Sequence, residues 1–558
     1  MQQQAQRNTP QQVFEEYRAG VRYKTGLGER GMYRQNEINR RFYKGDQWHG
    51  AACGSERPLV RHNVIRRIGE YKMAAVGAQP LAVRFSADGY ADTALQREQT
   101  RQLRLAGARG ELPIVDGCKA TDLTMSALSG YFQTTGERVG LEMLCERILK
   151  NAYCTGTGVL YTYWDDTVPT GLFADQGRTV PLVGDVSCEV LDIEQVYFGD
   201  PSIEEIQSQP YILIAQRRRV KELRRMAARF GRSEQEIAAI RPDRDGLPPA
   251  GEPEETGKAL LITKFFKETD EHGHVVVRAV QVCQGVTIRE EWTMGIRLYP
   301  LSVFRWETVD GCVYGDSEIT WLIPNQIAIN RMLTSSVWAV LTQGMPTLLV
   351  NGDVIDGSVT NDPGQIIRVF GNGEDLRNAM QYVDPPAFSP ALGNTAANLI
   401  ADTLSQSGAT AAALGDVTPD NTSAIVAVRE AALLPLQTIK NRYFAFVEDV
   451  ARVWAEFWVC SYGERPLRVQ DNEGVWYLPF NGDQFRDMVI RARVDVGAAN
   501  LWSESQSIVT LDNLLARGII TPQQYLKRLP RGIVPDVDGL IQETQQQKED
   551  TDDGFGGV

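Results

Sequence analysis

Between Arg331 and Arg429 lie 97 residues that carry only two cations, Arg368 and Arg377, against nine acids. The acids include Asp353, Asp356, Asp384, Asp402, Asp416 and Asp420, and the stretch has no His, Cys or Lys. It begins in one apolar helical pattern and ends in another. Catalysis needs a nucleophile, base or metal set in mutual reach, and this composition offers few of the residue types. A wall past which a polyanion must slide suits it better. The stretch contributes −7 to a chain whose formal net charge is −13.

The remaining composition bounds the problem. The chain has 558 residues, 43% apolar and 23% charged, as in ordinary globular proteins. That length suits about two to four domains. The acidic balance speaks against a sequence-specific DNA binder, which carries a basic footprint, and against an anionic membrane surface. The nearest candidate, the uncharged stretch 332–350, is broken by Ser335, Ser336, Gly344 and Pro346, so no transmembrane helix is expected. The N-terminal residues lack the apolar core of a signal peptide. The eight cysteines are widely spaced with no CxxC pair, and they read as buried free thiols of a reducing compartment. No metal or cofactor is expected. His272 and His274 flank Gly273 in what reads as a hairpin turn.

Periodicity gives a mixed, mainly helical α+β chain. Residues 1–45 read as helix ending at Gly45, and 57–76 as a second helix. A strand follows at 81–85, then a helix at 138–153 and a strand at 159–164. Residues 217–240 read as a basic amphipathic helix, and 241–258 as a loop rich in Pro and Gly. Three strands are expected at 259–267, 274–284 and 286–292. Asp316–Glu318 reads as a short turn, with Pro324 in the first turn of a helix running to about Gln343. Short strands at 347–350 and 365–370 bracket a Gly/Asp-rich loop. A helix of small residues spans 391–413, with Ala396, Ala397, Ala401, Ser405 and Gly408 spaced for close helix approach. The longest helix spans 423–461 and is kinked at Pro435, with a stripe of Leu436, Ile439, Tyr443, Phe446, Val450, Val453 and Phe457. Its Trp454 and Trp458 read as core. Strands at 467–478 and 489–496 precede helices at 503–517 and 522–529, the latter capped by Thr521. The polar tail from Gln542 reads as disordered.

Few motifs carry chemistry. Gly26-Leu27-Gly28-Glu29-Arg30-Gly31 spells GxGxxG, but a dinucleotide site needs a buried strand before it, and the residues there are polar; a turn is the better reading. There is no GxxxxGK[ST], HExxH or GxSxG. Asn421-Thr422-Ser423 reads as a helix cap. Arg217–Arg219 with Lys221, Arg224 and Arg225 is either a phosphate contact or a solvated face.

Several segments, in their order, resemble the portal (head–tail connector) proteins of tailed double-stranded DNA phages. They are Asn39–Trp48, Arg61–Ile65, Tyr314–Ser317 with Pro324–Asn330, Ser423–Ile425, and Asp512–Thr521. The resemblance implies a ring, usually of about twelve subunits, with wing, stem, clip and crown regions around an axial channel. By order along the chain, 1–312 would be wing, 313–343 and 390–413 stem helices, and 344–389 clip. Residues 414–422 would be a tunnel loop, 423–461 a long helix returning to the wing, 462–500 wing strands, 501–545 crown, and 546–558 a disordered tail. It implies Asp416, Val417, Thr418, Pro419, Asp420 and Asn421 facing DNA. It implies Asn351, Asp353, Asp356, Arg368 and Arg377 at the contact with the terminase large subunit and then the head–tail adaptor. Major capsid and scaffolding proteins would be further partners, the virion and the host cytoplasm the locations, and no enzymatic activity or cofactor is implied. Competing readings are another virion head–tail protein without a DNA channel, and a nucleotide-dependent enzyme resting on the GxGxxG.

Overall fold

The computed structural model describes residues 8–49, 58–78, 81–88, 120–173, 180–244, 256–271, 273–343, 347–351, 355–356, 368–369, 380–383, 390–409, 434–471, 474–486, 489–494, 508 and 511–528. The expected tunnel loop 414–422, Asp353, Arg377, the first turns of the 423–461 helix, and the tail lie outside them.

Two helices open the chain, α1 (Pro10–Gly26) and α2 (Met32–Lys44). Thr9 caps α1, accepting the Gln12 amide at 3.4 Å, and Pro10 supplies the preset first-turn φ. Gly45, at φ 90°, ends α2 in the left-handed conformation. The GxGxxG sequence is the turn between these helices. A helix, not a strand, precedes it, so the dinucleotide geometry is not present. Its last glycine, Gly31, holds φ +77°, and a Cβ there would sit 2.5 Å from the Thr25 carbonyl oxygen.

Next come α3 (Val64–Gly77), β1 (Val83–Asp88), α4 (Ala120–Val139) and α5 (Leu141–Thr155). The helix expected from residue 57 starts only at Val64. The amides of Val60 and His62 are taken by side chains of a later helix, Thr334 Oγ1 and Asn330 Oδ1, both at 3.1 Å. That bonding keeps 58–63 out of the helix until Asn63 caps it. The helix α4 was not anticipated from the sequence.

A long hairpin follows, β2 (Thr157–Phe173) and β3 (Pro181–Leu191), then β4 (Val196–Phe198) and β5 (Tyr211–Arg219). Two short helices, α6 (Val220–Arg229) and α7 (Glu234–Ala239), lead to β6 (Lys258–Thr269), β7 (Val275–Cys283) and β8 (Val286–Thr293). Strands β4–β8 form one antiparallel sheet in sequence order. The single basic helix expected over 217–240 is corrected here. Arg217–Arg219 close β5, paired with Lys258–Leu260, because the ladder claims their backbone. Gly231, at φ +73°, then separates α6 from α7.

Strand β9 (Leu301–Arg305) joins β2 and β3 in a second sheet, and β10 (Glu307–Val309) and β11 (Cys312–Asp316) form a small hairpin. One continuous helix, α8 (Glu318–Gln343), follows, with Pro324 inside it rather than in its first turn. Proline there removes the bond to the carbonyl four residues back, at a cost of about 3 kcal/mol. Burial of the neighbouring Ile319, Leu322 and Ile323 offsets that loss. The short strands β12 (Thr347–Val350), β13 (Ile355–Asp356), β14 (Arg368–Val369) and β15 (Met380–Val383) pair as β12 with β15 and β13 with β14. Helix α9 (Pro390–Gln406) comes next.

The centre of the main core is α10 (Gln437–Ser461), preceded by a tight helical turn at Leu434–Leu436 that contains Pro435. All seven residues of its predicted stripe are buried, and Trp454 and Trp458 are fully so. A hairpin, β16 (Glu464–Asp471) and β17 (Gly474–Asn481), stands where one strand was expected over 467–478. Apolar alternation reads alike on both arms of a tight turn, which here sets Asp471 opposite Gly474. The last strand, β18 (Val489–Val494), pairs antiparallel with β1, joining sequence ends over 400 residues apart. Residues 511–516 are helical, and Thr521 and Gln524 cap α11 (Pro522–Arg528) reciprocally.

Candidate functional site

The site grows from the start of α8. Ser317 donates to the Tyr153 carbonyl at 2.6 Å and accepts the Ile319 amide, holding the helix entry. The first helical residue, Glu318, is buried. It takes Lys72 Nζ at 2.6 Å and the Trp306 indole N–H at 3.1 Å. A carboxylate at this position also complements the helix dipole. Just before it, Gly315 packs backbone to backbone on Gly156. A Cβ on either would lie within 2.5 Å of the other's carbonyl oxygen, so this crossing admits no side chain at either place.

Two turns further, Gln326 reaches the start of α3. Its Oε1 accepts the Val64 amide at 2.9 Å and the Ile65 amide at 3.3 Å, two of the orphan donors of a helix N-terminus. Its Nε2 donates to the His62 carbonyl and to Asn330 Oδ1, at 2.6 and 3.0 Å. Asn330 donates to Gln47 Oε1 at 2.5 Å, and Gln47 donates to the Phe42 carbonyl. Asn39 donates to Thr320 Oγ1, and the Trp48 indole to the Val60 carbonyl. Nearly every polar group of this cluster is thereby paired, as burial requires. Residues quoted separately from the sequence, at 39–48, 61–65, 314–317 and 324–330, converge on one hydrogen-bonded root.

Past Thr334 the helix leaves this core. None of residues 331–341 is buried, and Val340 and Leu341 are 60% and 62% exposed. At ~1.5 Å per residue the whole helix spans about 39 Å. Helix α9 packs back along it, with Asn325 Nδ2 donating to Thr403 Oγ1 at 3.2 Å and Ala396 buried. The two helices and the nested hairpins between them form one arm. Of the small residues read as a packing stripe, Ala396 is buried while Ala397, Ala401 and Ser405 are exposed. Among the anticipated contact residues, Asn351 and Arg368 are exposed, and Asp356 stands opposite Arg368 in the inner hairpin. Asp402 is exposed on α9. The convergence at the root could not be found from the sequence, since its partners are about 260–280 residues apart.

The chemistry of the root is one of amides, hydroxyls and a buried ion pair. Among the described residues no group of three or more His, Cys, Asp or Glu is arranged to hold a metal, and no helix is long and apolar enough to cross a membrane. The described cysteines are unbridged. Burial pushes the Cys145 and Cys283 thiols up to about 12, away from the activated thiolates of nucleophilic sites.

No family model and no curated protein matches the chain. Solved chains that are similar to it include three from gene transfer agent particles. One is from the neck of the native particle computed with C12 symmetry, at 12% identity and TM-score 0.34, over 85% of this chain and 91% of that one. A second, from the native virion, has 12% identity and TM-score 0.36, over 93% and 99%. A third, from the empty-particle neck computed with C6 symmetry, has 13% identity and TM-score 0.32, over 85% and 91%. Likeness at these scores carries no argument about fold or function.

Proposed function

We propose that this chain is a phage portal subunit, a virion structural protein without enzymatic activity. It closes with other copies into a ring at one capsid vertex through which double-stranded DNA is packaged and ejected. The observation that carries the reading is the convergence of the motif segments at the root of α8. Four of the six stretches that resemble the portal family, at 39–48, 61–65, 314–317 and 324–330, also lie together there, and they anchor a helix–hairpin–helix arm. A projecting helix whose apolar Val337, Val340 and Leu341 face water in a single chain favours burial against further copies. In this reading the arm lines the axis and its hairpins meet the terminase and then the adaptor.

The charge of the segment supplies the mechanism. Each Lys or Arg contact to DNA releases counterions and adds affinity, so a gripping wall would stall a moving duplex. Nine acids against two cations between Arg331 and Arg429, repeated around a ring, repel phosphate and keep friction low.

Electron microscopy or native mass spectrometry of the purified protein tests this. Rings with an open axial hole support it; a stable monomer at every assembly condition sinks it, and a closed disc points to a different head–tail role. Asp416→Lys with Asp420→Lys should slow DNA passage and leave rings intact. Nucleotide binding lost in Gly28→Val would instead revive the enzyme reading.

A further inference from the structure

The basic segment at the edge of the five-stranded sheet has no role in the arm. Residues 217–232 hold eight cations and one acid, Glu222, in a chain of net charge −13. Four of the eight are committed to the fold. Arg217 lies 3.9 Å from Asp243, Arg218 pairs with Glu222 at 2.9 Å, and Arg232 with Glu290 at 2.8 Å. Arg224 donates to the Ile240 carbonyl at 2.9 Å and so ties down the end of α7.

The other four, Arg219, Lys221, Arg225 and Arg229, are exposed, and no carboxylate of the described residues lies within ion-pairing distance of them. Lys221, Arg225 and Arg229 are spaced i, i+4, i+8, so they form one row with neighbouring Cβ atoms about 5–6 Å apart. Val220, Leu223 and Ala227 bury the opposite face of α6. The row is therefore held on a packed helix rather than a loop. It continues onto β8 through Arg289, whose guanidinium lies 3.7 Å from the Trp292 ring centroid and 4.8 Å from that of Phe230. Burial, and after it the nearby Arg229 charge, lower the Arg289 pKa.

We propose that this rim of α6 and β8 binds the phosphate backbone of double-stranded nucleic acid without regard to sequence. Two features select that partner over an acidic protein. The cations form a regular row, as a phosphate strand requires. And none of the exposed large hydrophobics of the described residues falls between 217 and 240, whereas protein interfaces draw most of their energy from buried apolar and aromatic anchors. The acidity of the whole chain does not prevent this, because charges more than about 8 Å apart are largely screened at physiological salt. The inference needs only a monomer and stands apart from the ring reading; loss of rings leaves it untouched.

The test is fluorescence anisotropy of the purified full chain with a duplex of about 30 base pairs, titrated with KCl. The four exposed cations together with Arg289 predict a slope of log K against log salt of about −4 to −5. Lys221→Ala, Arg225→Ala and Arg229→Ala together should make it shallower by about 2.7 and weaken binding at least ~10-fold at low salt. Arg225→Lys with Arg229→Lys should keep the slope. If the triple variant fails to fold, each single variant should still lower the slope by about 0.9. No binding by the natural protein at low salt, or a slope unchanged in the variants, overturns the inference. So does equal competition by poly-glutamate of matched charge, which assigns the rim to an acidic polypeptide.

Discussion

The root of α8 and the rim of α6 are both built from polar side chains, yet they are opposites in what those side chains touch. At the root, Gln326, Asn330, Lys72 and Glu318 are buried and bonded to one another or to backbone. At the rim, Lys221, Arg225 and Arg229 face water with no carboxylate of the described residues within ion-pairing distance. A buried polar group must be satisfied inside the fold, so it acts as a positioning device. An exposed unpaired charge costs the fold little and keeps its electrostatic energy for a partner. The same distinction separates the two ends of α8, whose first half builds the core while its second half leaves it.

Removing a root partner should have the largest effect. Glu318→Ala leaves Lys72 buried without its carboxylate, and such an orphaned charge destabilises by about 3–5 kcal/mol; urea denaturation measures it. A loss under about 1 kcal/mol would mean water reaches Lys72 and the root is not dry. Gln326→Ala should cost about 1–3 kcal/mol by stranding the first amides of α3. Its hydrogen-exchange signature should be faster exchange at Val64 and Ile65 in particular.

Lys24, near the end of α1, tests the contrast a second way. It is a buried cation whose Nζ donates to the Ile193 and Val196 carbonyls and lies 4.0 Å from the Tyr197 ring centroid. Burial pulls its pKa from 10.5 down to about 7, partly opposed by Glu194 and Asp192. Between those values the unfolded chain holds a proton that the folded chain does not. Stability from this group therefore rises with pH across that window and is lost as pH falls toward 7. Lys24→Met lacks that dependence, so its thermal midpoint relative to the natural protein should fall from about pH 6.5 to about pH 9. A difference that stays constant would mean Lys24 remains charged when folded. The smallest effect belongs to the rim: the triple alanine variant there should unfold within about 0.5 kcal/mol of the natural protein. A larger loss would show that the row is part of the packing.

Local signals made much of the fold legible. The α10 stripe, the end of α2 at Gly45, the strands β6–β8 and the Thr521 cap all stand where periodicity and capping chemistry put them, because those signals act within a few residues. The failures share a cause in distant chain. Residues 58–63 look helical until Asn330 and Thr334 take their amides, and Arg217–Arg219 look helical until β6 pairs with them. Of the candidate site residues, Asn351, Asp356 and Arg368 can be placed in the arm, while 416–421 lie outside the described residues.

The amino-acid order alone determined the charge of the central segment, the apolar stripes and the sequence of motifs, since each is a property of neighbours along the chain. Only the tertiary structure decided that Asn39, Gln47, His62, Gln326 and Asn330 meet at one root, and which cations at 217–232 are spent on the fold. Hydrogen bonding between residues hundreds of positions apart has no periodicity to announce it, and a charge is free or paired only once the backbone has chosen its neighbours.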